Sequence, residues 1–172
     1  MSTKPATWID SACRPHRQWM ADRGEMPDLA TAWRECPQGD WLLFLAARGG
    51  VDRKLVVAAM CACARRLLPH LPEGEPRPLA AIETAERWCR GEASLDEVRA
   101  ARESLRPLAQ SDISAEAYFA NSAAANACSA VFVDRRELAT YASSVSPDTA
   151  DLARAMIPFA AVQAALEGGV LP

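Results

Sequence analysis

The stretch from Cys36 to Gly91 constrains the fold most, because it holds three apolar blocks at helical spacing with explicit stops between them. In the first, Trp41, Leu42, Phe44 and Leu45 turn inward, Asp40 can accept the free backbone N–H groups of the opening turn, and Gly49-Gly50 supplies the C-terminal stop. Asp52 caps the second, which runs through Leu55, Val56, Ala59, Met60, Cys63 and Leu67 to Pro69. That helix is apolar on most sides as far as Ala64, which predicts a central position. Arg65, Arg66 and His70 near its end suit the negative pole of a helix dipole. PHLPEGEPRP cannot continue a helix, since its prolines lack the N–H and bar the α region to their predecessors. From Pro78 the pattern Leu79, Ile82, Ala85 or Glu86, and Cys89 resumes, with Trp88 adjacent and Gly91 as the stop.

The flanking sequence reads the same way. A first helix is expected from about Asp10 to before Gly24, with Cys13, Arg17 and Met20 on one side; Pro15 allows the start to slip to Arg14. Asp28 to Glu35 forms a short helix with Leu29, Ala32 and Trp33 inward. Ser94 and Glu97 make a capping box for a helix through Leu95, Val98, Ala101 and Leu105, which Pro107 ends or bends. Past Ser111 small residues dominate, so Tyr118, Phe119, Ala123, Ala127 and Ala130 would let a helix approach its neighbours closely. Asp134 with Glu137 offers another capping box, and Ser146-Pro147 opens a last helix reaching Leu166 before Gly168-Gly169. The expectation is an all-α fold of eight or nine helices, a bundle or irregular array, in one domain spanning residues 1–172.

Composition supports this and narrows function. Half of the 172 residues are apolar, enough for a core without disulfides or metal. A net charge of −3 argues against a nucleic-acid binder, which needs a basic face. Residues 110–172 hold three arginines against seven carboxylates, a balance of 3 − 7 = −4. MSTKPATWID has no apolar run after Lys4, and no stretch approaches the ~18 residues of a membrane span, so a cytoplasmic protein with no membrane partner is expected. The six cysteines are then reduced and buried.

The central residues resemble a known family. WRECPQGDWLLFLAARGG, LVVAAMCACARRLLP and EGEPRPLAAIETAERWCRGEASLDEVRAA, in that order, look like small α-helical immunity proteins of bacterial polymorphic toxin systems. The resemblance covers about residues 30–104; the alanine-rich acidic helices of about 112–167 fit by composition alone. It implies a cytoplasmic protein that neutralises a cognate toxin by binding it, without catalysis or a cofactor. No binding residues come with it.

The residues themselves offer few sites. Cys61 and Cys63, two apart on a helix, lie about 200° apart around its axis and cannot share one ion, so no metal is expected. His16 and His70 sit in no nucleophile motif. Glu83 and Glu86 share a face without the Glu-x-x-His of a di-iron bundle, and one of them should pair with Arg65 or Arg87 while the other is solvated. Of the tryptophans, Trp33, Trp41 and Trp88 belong to apolar stripes, Trp19 lies beside that of the first helix, and Trp8 is expected exposed. The partner-binding candidates are Asp112, Glu116, Asp134, Glu137, Asp148 and Asp151, a negative surface able to steer a basic toxin. The alternative is a helical scaffold or self-associating dimer unconnected with any toxin.

Overall fold

Local signals in the chain account for most of the element boundaries in the computed structural model, which describes residues 8–24 and 27–167. A 3-10 turn at Trp8–Ser11 precedes α1 (Arg14–Ala21), which starts with Pro15 in its first turn. Asp28 caps α2 (Leu29–Glu35) by accepting the Thr31 N–H at 2.6 Å. Asp52 likewise accepts the Lys54 N–H at 2.7 Å to open α4 (Arg53–Leu67), which follows α3 (Gly39–Gly49). Gly50 ends α3 at φ +94°, a left-handed conformation that favours glycine. A 3-10 turn, Leu68–His70, then leads through the proline-rich connector to α5 (Arg77–Arg90), which Gly91 ends.

The capping box of α6 (Leu95–Ser104) is complete: Ser94 Oγ accepts the Glu97 N–H at 3.2 Å and Glu97 accepts the Ser94 N–H at 2.7 Å. Pro107 falls in the single turn α7 (Arg106–Ala109), separated from α6 by Leu105. Ser114 caps α8 (Ala115–Ser129), and Asp134 accepts the Glu137 N–H to cap α9 (Arg135–Ala142). The last part contains a 3-10 turn at Pro147–Thr149, then α10 (Ala150–Met156) and α11 (Phe159–Glu167). No strand occurs among the described residues, and none of the helices there is long and apolar enough to cross a membrane.

Helix α4 is central, as its apolar circumference demands. It packs on α5 and α8 along its length and on α10 and α3 on its other sides. Beyond it α6 rests on α5 and α8, while α9 and α11 rest on α3. Val56, Val57, Ala59, Met60, Cys61, Cys63 and Ala64 are all buried in α4. On α8 the buried residues Ala117, Ala120, Ala124, Ala127 and Cys128 recur at three and four positions, so one face of small side chains meets α4 and α5 at close range. Gly39 makes a similar approach possible elsewhere, since a Cβ there would collide with Thr149.

Several expectations need correction. Eleven α-helical segments are found among the described residues, one of them the single turn α7, against the eight or nine anticipated. The extra break is at Pro158, which removes a helical N–H and pushes Ile157 to extended backbone, so the last helix is two. Asp40 does not occupy the cap of α3; Gln38 does, and Asp40 lies inside the first turn. In α1 it is His16 that turns inward with Met20, while Arg17 is exposed and donates to the Ala12 carbonyl at 3.1 Å. Trp8 is half-buried against the core, as are Trp41 and Trp88; only Trp33 of the expected three is fully inside. Leu79 and Leu95, read as inward, are open to solvent. So are Tyr118 and Phe119, which take no part in the close packing of α8. The expected Gly168-Gly169 stop lies outside the described residues.

Candidate functional site

The face of α8 turned away from α4 and α5 forms one wall of a groove. Glu116, Tyr118, Phe119, Ser122 and Asn126 line it from α8, Leu67 and His70 from the end of α4 and the turn after it, and Ser144, Ser146 and Pro147 from the connection between α9 and α10. The groove encloses about 620 Å³ and is mostly apolar in its lining. Some of its polar groups are engaged with one another or with neighbours: the Asn126 amide donates to Ser144 Oγ at 2.8 Å, and Ser146 donates to Asp148.

Tyr118 and Phe119 are the largest apolar side chains of this surface and are 48% and 63% exposed, their rings edge to face at 6.1 Å. Singly exposed apolar residues are ordinary, but a phenyl ring left mostly in water beside an open apolar groove is a hot-spot arrangement for protein contacts. The helical signal of α8 hid it. Alanines surround the helix almost completely, so the sequence does not say which of its faces is inward.

Glu116 lies one helical turn from Phe119 on the same face. Its carboxyl is held below the usual range by its own backbone N–H, then by Ser114, so it stays ionised. Asp148 and Asp151 are exposed near Pro147; Arg66 donates to the Asp148 carbonyl at 2.8 Å and to the Asp151 carboxylate at 2.9 Å. The six acidic candidates therefore do not form one patch. Glu116 and Asp148 flank the groove, Asp112 precedes α8, and Asp151 is paired, whereas Asp134 and Glu137 lie past the other end of α8, ~20 Å away by helical rise.

The remaining candidates have structural explanations. Arg65 grips Glu86 with two hydrogen bonds of 2.7 Å, and Glu83 stays exposed at 4.0 Å from the same guanidinium, as anticipated. Cys61 and Cys128 reach from α4 and α8 to the backbone of α5, donating to the Ile82 and Ala81 carbonyls at 3.9 and 3.5 Å. Burial pushes the Cys61 thiol well up and that of Cys128 to about 12, so both are protonated small hydrophobes. Cys36 and Cys89, each raised to about 11 by burial, are equally inert. No group of three or more His, Cys, Asp or Glu among the described residues is arranged to hold a metal ion.

His16 is a feature that sequence reasoning missed. It is fully buried between Trp19 and Trp41, ring centroids 5.7 Å from each, and neither nitrogen has a hydrogen-bond partner among the described residues. Burial lowers its pKa to about 4, so the imidazole is neutral at physiological pH. It acts as an aromatic filler, and the signal for it was its spacing from Cys13 and Met20.

Compared with known proteins, residues 50–158 match a family model described as Imm-5 like putative immunity protein. The match starts at Gly50, the last residue of the WRECPQGDWLLFLAARGG block, and takes in all of α8 and every residue lining the groove. No curated protein and no solved structure matches the chain.

Proposed function

Because the chain belongs to this Imm-5-like family of immunity proteins, we propose that it binds a cognate bacterial toxin in the cytoplasm and neutralises it by occupying its working surface, without catalysis. The observation that carries the reading is the exposed pair Tyr118 and Phe119 beside an apolar groove inside the family-matched region. A protein partner covering ~1,600 Å² in total would take in the groove and its acidic edge, with the two rings as anchors. Of the acidic residues, Glu116 and Asp148 act at the contact. Asp112, Asp134, Glu137 and Asp151 contribute to the longer-range field that speeds encounter with a basic toxin.

The test is direct binding. The purified chain, titrated with the toxic domain encoded by a neighbouring gene, is expected to give a one-to-one complex by calorimetry and gel filtration. Tyr118→Ala with Phe119→Ala should weaken it ~100-fold, the scale of two lost anchors. Absence of a complex, or enzymatic modification of the toxin by catalytic amounts of the chain, would refute the proposal.

A further inference from the structure

The groove is lined by one carboxylate and two aromatic rings and by no lysine or arginine, with His70 beside Glu116, and this sets the chemistry of what enters it. Glu116, the one carboxylate among the lining residues, is held ionised by its own backbone N–H and by Ser114. Asp148, next along the chain from Pro147, adds a second exposed carboxylate at the edge. The cation on the adjoining turn of α4, Arg66, is already engaged by the Asp148 carbonyl and the Asp151 carboxylate. The carboxylates thus make the field at the groove negative, while Leu67, Phe119 and Pro147 give it apolar lining.

Glu116 and Phe119, three positions apart in α8, are surface neighbours, so one entering group can meet both. An arginine fits that pair better than any other side chain: its planar guanidinium stacks on an aromatic face while its fork of N–H groups engages the carboxylate. A lysine ammonium offers charge without the stacking plane, and an aliphatic side chain would cover Glu116 without supplying a counter-charge. We infer that the groove is the docking site for an arginine-bearing, otherwise apolar segment of the partner protein, with the guanidinium seated over Phe119 against Glu116. The inference rests on the toxin-binding reading only for who supplies the segment; the chemistry of the groove stands apart from it.

Synthetic dodecapeptides alternating Arg with Leu, Lys with Leu and Glu with Leu are the probes, titrated into the full isotope-labelled chain and followed by NMR. The Arg peptide should shift resonances of Glu116, Tyr118, Phe119, Ser144 and Ser146 and bind more tightly than the Lys peptide, while the Glu peptide should leave them unmoved. Glu116→Gln and Phe119→Ser, both at exposed positions, should each weaken the Arg peptide about tenfold, and Glu116→Gln should flatten its salt dependence. Equal shifts with the Glu peptide, shifts scattered away from the groove, or unchanged affinity in both variants would overturn the inference. So would shifts of the same residues on raising the protein concentration alone, which would assign the groove to a second copy of the chain. If the Arg peptide binds as expected but no toxin complex forms, the toxin reading fails and the groove chemistry survives.

Discussion

Single residues decide how this protein responds to pH. His16 is neutral in the folded chain, with a pKa of about 4, whereas in the unfolded chain it titrates near its ordinary 6.5. Above pH 6.5 both states are neutral and His16 adds no pH-dependent cost. As pH falls from 6.5 towards 4, the unfolded chain takes up a proton that the folded chain refuses, and stability drops by about 3 kcal/mol over that window. Denaturant midpoints from pH 7.5 down to 4 should therefore fall for the natural chain, and the slope should shrink in His16→Leu. An identical slope in the variant would show that other groups carry the acid sensitivity. The sequence did not announce this residue. Histidine scarcity drew attention to what His16 lacks, a nucleophile or metal partner, while its place beside Cys13 and Met20 on the inner face of α1 was given to Arg17.

At the scale of elements, what could be read in advance was what depends on neighbours in sequence. Asp28, Asp52, Ser94 and Ser114 sit where helices begin because their side chains satisfy N–H groups two or three residues on, and that requirement involves nothing distant. Ser94→Ala removes half of a complete capping box and should cost about 1 kcal/mol, read from the denaturation midpoint, with Ser94→Asp restoring most of it. An unchanged midpoint in Ser94→Ala would mean that packing of Val98 and Leu105 alone fixes the start of α6. Pro158 is a local stop of the same kind, but the helix expected from Ser146-Pro147 to Leu166 runs through it, and the structure breaks there. The face of α8 was not legible, because Ala is as acceptable outside as inside a helix. Only the positions of α4 and α5 determine that Ala120 and Ala124 are buried and that Phe119 stands in water. The groove needs three separate parts of the chain to meet, and no local pattern encodes that meeting.

At the scale of the whole molecule the arrangement separates support from contact. Helix α4 and its neighbours bury Cys61, Cys63 and Cys128, while Cys13 and Cys89, expected inside, are only half-buried; the Arg65–Glu86 pair lies at the core's edge, and α8 packs by its inner face on α4 and α5. The acidic balance after residue 110 is distributed around the groove, not concentrated in it, so raising ionic strength should slow association with a basic partner more than it speeds dissociation. Stopped-flow rates at low and high salt would check this, and a salt effect confined to dissociation would contradict it.

The most direct measurement is growth of cells expressing the toxic domain encoded by the neighbouring gene, with and without this chain. The natural chain and Glu83→Gln, an exposed position of α5 outside the groove and its acidic surroundings, should restore growth. The double variant Tyr118→Asp with Phe119→Asp, shown by circular dichroism to remain folded, should not. Rescue by the double variant equal to that of the natural chain, or failure of the natural chain itself, would contradict the account.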